Sequence, residues 1–221
     1  MTVAVVVPVF GNAATLEDLR DRLAAALTDR PWRLRLVVDA CPHGSAAADE
    51  ALAGPRIAVT QLQVNGGQHA ALVRGLREEA EAAAWVFLDA DLQDPPEAVP
   101  GLLDALGPAA AVFAGRRGSY ESPARLLTGA LHRRVLSRLT GLPPDAGAFL
   151  ALDARARAAV LRAGAPSVVA AIGASRLPVT SVPVLRSPRA EGQSAWTTGA
   201  RVRQSTSTLA WTVRQRGRVA P

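Results

Sequence analysis

The chain has 221 residues, 49% of them hydrophobic, a formal net charge of +6 and a single cysteine. That length and apolar content suit one globular domain with a sizeable core, and the lone Cys41 excludes an internal disulfide and fits a reducing compartment. No stretch reaches the ~18 to 20 uninterrupted apolar residues of a membrane span, and Val3 to Val9 lacks the basic segment that precedes a secretory leader, so a cytoplasmic protein, soluble or peripheral to the membrane, is expected.

Val3 to Pro8 reads as a strand, Gly11-Asn12 as a turn, and Thr15 to Leu27 as a helix capped by Thr15 with Asp18 three residues on. Leu34 to Asp39 is a second strand, broken by Cys41 to Ser45, with a short helix over Ala46 to Ala53 and a third strand over Ile57 to Leu62. Gly66-Gly67 opens a helix from Gln68 to about Ala83, and Trp85 to Leu88 is a fourth strand. A helix from Pro95-Pro96 to about Leu106, a strand over Ala111 to Ala114, a helix from Ser122 to Leu139 and a late strand over Val179 to Leu185 follow. Apolar strands alternating with helices predict an α/β fold with a mostly parallel central sheet covered on both faces. With no internal repeat and no long linker, residues 1–195 are expected to form one domain. Residues 196–221 form a helical tail that packs on it or lies at the membrane, where Trp196, Trp211 and neighbouring Arg would meet anionic lipid.

The fourth strand runs into Asp89-Ala90-Asp91-Leu92-Gln93-Asp94-Pro95-Pro96-Glu97. Asp89 and Asp91 leave one face of an extended chain, so two hard oxygen ligands converge, as Mg2+ or Mn2+ requires when substrate phosphate completes its shell. The competing reading is a strand entering a loop of solvated acids. Ligands of parallel sheets bind beyond the carboxyl ends of the strands, where the loops after the first, second and fourth strands converge. Asp39 stands there, able to accept hydrogen bonds from a base or ribose, or to cap a helix, although Ser45 is better placed to cap the next one. Asn65-Gly66-Gly67-Gln68-His69 precedes a helix whose free N–H groups can hold a phosphate or carbonyl oxygen, and simple turn-and-cap chemistry explains it equally well. Arg116, Arg117, Arg125, Arg186 and Arg189 are candidates to surround an anionic leaving group or acceptor, against a background of solvated Arg. Asp145, between Pro143-Pro144 and Gly147, is either a general base or a loop-ordering carboxylate. His43, His69 and His132 lack zinc-ligand spacing. The charge admits nucleic acid, but with 4 Phe, 4 Trp and 1 Tyr and no recognised module, no nucleic-acid partner is expected.

The order of these motifs resembles a family 2 glycosyltransferase of the GT-A nucleotide-diphospho-sugar fold, and is similar to the dolichol-phosphate and polyprenyl-phosphate sugar transferases. The resemblance runs from Val5 to about Ser194. It rests on Pro8-Val9-Phe10, Asp39 to Ser45, Asn65-x-Gly67-x-x-x-Ala71-x-x-x-Gly75, the extended acidic run, Gly115-x-Arg117, Arg125, Asp145-x-Gly147-x-Phe149 and Arg189-x-x-Gly192-x-Ser194. It implies an inverting transfer of sugar from a UDP-, GDP- or dTDP-sugar to a lipid phosphate in cell-surface glycan synthesis. The alternatives are a hydroxyl of a small molecule as acceptor, or nucleotide-sugar binding without turnover. It implies that Pro8, Val9, Asn12, Asp39, Asn65, Gln68, Asp89, Ala90 and Arg117 bind the nucleotide-sugar. Asp91, Asp89 and Gln93 would hold Mg2+ or Mn2+, Asp91 as the direct ligand and Asp89 orienting sugar or ribose. Arg117, Arg125 and Arg189 with Ser194 would contact diphosphate or acceptor, and Asp91, Arg125 and Asp145 would be catalytic. A homodimer is left open. Phe10-Gly11-Asn12 replaces the family's Tyr-Asn-Glu, Val38-Asp39-Ala40-Cys41 carries one acid where two are usual, and Leu150 stands where an Arg is common. A sugar nucleotidyltransferase would need a Gly-rich basic loop after the first strand, which Val9 to Asn12 does not supply.

Overall fold

The β-branched run at the N-terminus becomes strand β1 (Val3–Val9), and every residue in it except the half-buried Pro8 is buried, as a strand covered on both faces must be. The computed structural model describes residues 1–11, 13–40, 54–117, 134–186 and 198–217. Among these, β1 lies between β2 (Trp32–Asp39) and β4 (Ala84–Phe87), both parallel to it, and β3 (Ile57–Leu62) pairs parallel outside β2. Strands β5 (Ala111–Arg117), β6 (Leu150–Leu152) and β7 (Val179–Leu185) complete a sheet of order β3-β2-β1-β4-β6-β5-β7. Only β6 runs antiparallel to its neighbours.

Side chains alternate between the faces with the strand period of two. Val3, Val5, Val7 and Val9 point into a cluster with Leu16, Leu19 and Leu23 of α1 (Leu16–Ala26) and Val99, Leu102 and Leu103 of the helix Val99–Asp104. Ala4 and Val6 point the other way, toward Ala71, Leu72 and Leu76 of the helix Gly67–Glu78 and the helices Ala154–Ala163 and Val168–Ser175. In chain order these are α1, α2 (Gly67–Glu78), α3 (Val99–Asp104), α4 (residues 134–140), α5 (Ala154–Ala163), α6 (Val168–Ser175) and α7 (Thr198–Gly217). Helix α7 packs on α6, and its Trp211 joins the second cluster.

Strand order reverses between β1 and β4, which makes their carboxyl ends a switch point where a crevice opens. Pro8 fits this position. The Val6 carbonyl accepts from Leu88 N, the last contact toward β4, and Pro8 faces the same side two residues on, where no strand remains to need its missing N–H.

Several boundaries differ from those the sequence predicts. Helix α2 ends at Glu78 rather than near Ala83, because the Glu79 carbonyl accepts from the Trp85 indole and its buried carboxylate takes an ion pair with Arg35 at 2.7 Å. The fourth strand covers Ala84–Phe87, one residue earlier than expected. The Pro95-Pro96 helix divides into a 3₁₀ turn, Pro96–Ala98, and the short α3. Strand β5 continues to Arg117 because β7 pairs with it throughout, Arg117 opposite Leu185. Thr15 is the N-cap residue of α1 as expected, but its hydroxyl makes no capping bond to the helix and donates to the Ala90 carbonyl at 2.5 Å. Strand β6 and helices α5 and α6 have no counterpart among the predicted elements. The predicted helix over Ala46 to Ala53 and the portion of the Ser122 to Leu139 helix before residue 134 lie outside the described residues.

Gly75 shows why α2 carries a glycine in its interior. A Cβ there would collide with Val6 Cγ1 and press on Val37 Cγ2 at 3.2 Å, so the helix lies directly on β1 and β2. Gly75→Ala would gain up to about 1 kcal/mol of helix propensity, but forced overpacking costs about 1 to 3 kcal/mol. We predict a net loss of stability on urea denaturation.

Candidate active site

The carboxyl edge is built from groups that neutralise one another. Asp39 ends β2 and is 4% exposed; its Oδ1 accepts from Gly66 N and its Oδ2 from Gly67 N, both at 2.7 Å. Gly66 is the N-cap of α2 and has no side chain to offer, so Asp39 supplies the cap from another strand. The two readings of Asp39 therefore meet: it is a cap, of α2 rather than of the helix that follows it in sequence, and an ionised carboxylate retains further acceptor sites. Both glycines are required, since a Cβ on Gly66 would lie 2.8 Å from Ala70 Cβ and Gly67 has φ +77°.

The next residue but one brings α2 to the acidic run. Gln68 Nε2 donates to Asp89 Oδ1 at 2.5 Å, and Arg186 Nη2 stands 4.0 Å from Asp89 Oδ2. Strand β4 has ended at Phe87, so Asp89 to Asp94 form a turn and the same-face argument from strand alternation does not hold here. Leu92 takes a left-handed φ of 57°, and Gln93 N donates to Asp91 Oδ1 at 3.2 Å, which bends the chain back on itself. Asp91 is 7% exposed, Gln93 is buried, and Asp94 is sealed against Arg186, whose Nε lies 2.9 Å from Asp94 Oδ1. Arg22 fixes the far end of the run by a paired bond to Glu97, at 2.7 and 2.8 Å.

Asp145 enters the same edge of the sheet from the loop before β6. Its Oδ2 lies 3.2 Å from Arg117 Nη2 and against Gly115, where a Cβ would collide with it. Its Oδ1 is buried with no hydrogen-bond partner. The register Phe87↔Leu150↔Phe113 sets this loop beside the end of β4. Leu150 is fully buried in the core, so its position offers nothing to an acceptor.

Of the residues singled out in the sequence, the structure gathers Pro8, Asp39, Asn65, Gln68, Asp89, Ala90, Asp91, Gln93, Arg117 and Asp145 along one edge. Val9 and Ala90 are buried and Asn65 is exposed. Asn12, Arg125, Arg189 and Ser194 lie outside the described residues. Arg186 faces Asp94 and Asp89, a partnership that no local pattern signals, because ninety-two residues separate it from Asp94. Among the described residues no three His, Cys, Asp or Glu side chains converge. A cation here would have Asp91, Asp89 and the Gln93 amide oxygen as hard donors, the kind that Mg2+ and Mn2+ prefer, and would draw its other ligands from substrate. His69, in the first turn of α2, is half-buried against the Ala165 carbonyl.

A model of glycosyl transferase family 2 matches residues 4–151. The chain belongs to that family. It is 32% identical over 188 residues to the undecaprenyl-phosphate 4-deoxy-4-formamido-L-arabinose transferase of Pseudomonas aeruginosa, covering 83% of this chain and 52% of the relative. It is 28% identical over 139 residues to the dolichol-phosphate mannosyltransferase of Pyrococcus furiosus, covering 62% of this chain and 39% of that one. The chain thus spans about half or less of the length of these curated relatives. Its fold is that of glucosyl-3-phosphoglycerate synthase from Mycobacterium tuberculosis, solved with Mn2+, UDP and glucosyl-3-phosphoglycerate (TM-score 0.66, 19% identity, 98% of this chain and 80% of that chain). Mannosyl-3-phosphoglycerate synthase from Rubrobacter xylanophilus is equally similar (TM-score 0.67, 16% identity, 100% of this chain and 76% of that chain). These likenesses establish the α/β GT-A architecture that the motif order implied.

Burial holds the His69 pKa below its ordinary value near 6.5, against a smaller upward effect of the Ala165 carbonyl. Below that value the unfolded chain binds a proton that the folded chain refuses, so His69 makes stability fall as pH drops from 7 toward 5. Glu97, held low by Arg22, loses its contribution only below about 4.5. The melting temperature of His69→Gln is predicted to vary less between pH 7 and pH 5 than that of the parent.

Proposed function

We propose that this family 2 glycosyltransferase moves a sugar from a nucleoside-diphospho-sugar to a polyprenyl phosphate, with inversion at the anomeric carbon. The observation that carries this reading is the Arg117–Asp145 pair, which lies at the same carboxyl edge of the sheet as Asp89 and Asp91. It offers a fixed cation to an anionic acceptor beside a carboxylate turn suited to a metal diphosphate. Relatives named as undecaprenyl-phosphate and dolichol-phosphate transferases support the lipid-phosphate class.

In this reading the nucleoside lies along Pro8, Val9, Asn12, Asp39, Asn65 and Gln68, and the sugar and ribose lie against Asp89 and Ala90. Asp91, with Asp89 and Gln93, would hold Mg2+ or Mn2+, and a solved structure of the same fold, with Mn2+ and UDP bound, is in keeping with a divalent ion. When bound, such a cation neutralises charge developing on the departing diphosphate. The chain's own residues do the rest. Arg117, held by Asp145, orients the acceptor phosphate, with Arg125, Arg189 and Ser194 as further contacts. Phosphate monoesters carry a second pKa of about 6, so the acceptor oxygen is ionised near neutral pH and needs no base. That oxygen forms the new bond to the anomeric carbon while the bond to the diphosphate oxygen breaks on the opposite side.

A lipid acceptor implies work at a membrane surface. No single described helix is long and apolar enough to cross a membrane. Residues 1–195 would form the transferase unit, and the tail from residue 196, whose Trp211 packs on the core, would adjoin it.

One observation favours a second acceptor class. The buried, unpartnered Asp145 Oδ1 suits a general base for a hydroxyl. A screen of UDP-, GDP- and dTDP-sugars against polyprenyl phosphate and water-soluble alcohols separates the two. We predict transfer to the lipid phosphate, with turnover lost in Asp91→Ala by on the order of 10³-fold while its melting temperature stays near the parent's. Asp145→Asn should raise KM for the acceptor more than it lowers kcat; a kcat loss of about 10²- to 10⁴-fold would mark Asp145 as a base.

A further inference from the structure

The Arg186 guanidinium comes from the end of β7, the outermost strand on one side of the sheet, yet it reaches the carboxylate turn that follows β4. Its side chain is 7% exposed, and the Asp94 carboxylate it meets is 2% exposed. Two of its nitrogens face Asp94, Nε 2.9 Å from Oδ1 and Nη2 3.4 Å from Oδ2, and the same Nη2 lies 4.0 Å from Asp89 Oδ2. Its backbone N donates to the Arg117 carbonyl at 3.0 Å. One residue thus joins the strand that carries Arg117 to the turn that carries Asp89 and Asp91.

We propose that Arg186 is a positioning residue: by holding Asp94 it sets the turn in which Asp91 and Asp89 present their oxygens to a divalent cation. The proposal rests on the reading of that turn as the cation site. Loss of Arg186 removes the guanidinium that faces both oxygens of the buried Asp94 carboxylate, and the turn then shifts at Asp94 to lower the cost of the charge left behind. Asp94 is three residues from Asp91, and the left-handed Leu92 between them leaves the backbone little room to absorb the change. Asp94→Asn has the converse effect. It leaves Arg186 with Asp89 as its nearer anion, and a cation would then compete with a guanidinium for that oxygen. Removing both charges together leaves a neutral pair of similar volume, which proteins commonly tolerate.

This differs from a direct contact between Arg186 and substrate phosphate, and from plain charge repulsion of a metal. Repulsion alone predicts tighter cation binding when Arg186 is lost. Positioning predicts weaker binding from either single substitution and recovery in the double.

The test is Mn2+ affinity of the full chain, read from the electron paramagnetic resonance signal of free Mn2+, alone and with UDP or GDP present, with thermal melts run in parallel. Arg186→Met and Asp94→Asn should each weaken Mn2+ binding about tenfold, and Arg186→Met/Asp94→Asn should return to within about threefold of the parent, as expected of two residues acting as a unit. Should Arg186→Met fail to fold, the double variant must still bind Mn2+ more tightly than Asp94→Asn. Single variants that bind as the parent does, or more tightly, would overturn the proposal, as would a double variant as weak as the product of the singles. A parent chain that binds no Mn2+ under any of these conditions overturns the cation site itself and the proposal with it.

Discussion

The carboxylate turn after β4 can exist only because its charges and bends are answered from elsewhere in the fold. Asp89 takes Gln68, Asp94 takes Arg186, Glu97 takes Arg22, and the Ala90 carbonyl takes Thr15. Buried or half-buried anions without such partners would neutralise or unfold the turn. The partners come from α2, the end of β7, α1 and the turn before α1, so the geometry at Asp91 is a property of the whole sheet. At the end of the neighbouring β2, Asp39 has a comparable role: it holds the N-terminus of α2 and thereby the backbone from which Gln68 reaches Asp89.

This dependence explains what can be read from the sequence. Strands β1 to β4 announce themselves through apolar runs, and the acidic run, the two glycines that open α2 and Asp145 stand out by composition and spacing alone. The family resemblance follows from their order, and the match over residues 4–151 agrees with it. Strand β6 is not readable: three residues, Leu150–Leu152, carry no period, and they form a strand only because β4 and β5 lie on either side. Helix α5 is Ala-rich, so few large apolar residues mark its buried face, and α6 is apolar on nearly every side. The partners of Asp39, Asp94 and Asp145 are beyond reach for a different reason. Each ion pair or cap joins residues far apart in sequence: Arg117 and Arg186 stand out as candidate cations, but in a chain rich in Arg nothing local says which carboxylate each one meets.

Gly75 and Gly115 illustrate how such sites can be recognised in retrospect. Gly75 lets α2 lie on β1, which fixes the helix that holds Gln68; Gly115 makes room for Asp145. A glycine inside a helix or strand costs stability relative to alanine, and here the lost side chain is exchanged for close approach of a second element. Leu150 is the opposite case. Its burial in the core closes a position from which an acceptor contact was conceivable.

The crevice at the β1/β4 switch point is proposed to bind a nucleoside diphosphate through a divalent cation on Asp91. The most direct test is anomalous diffraction from crystals grown with Mn2+ and the nucleoside diphosphate that binds most tightly. We expect a manganese peak within coordination distance of an Asp91 carboxylate oxygen and of the diphosphate, with the nucleoside running toward Asp39. A diphosphate bound away from this edge, or manganese with no contact to Asp91, would contradict the account.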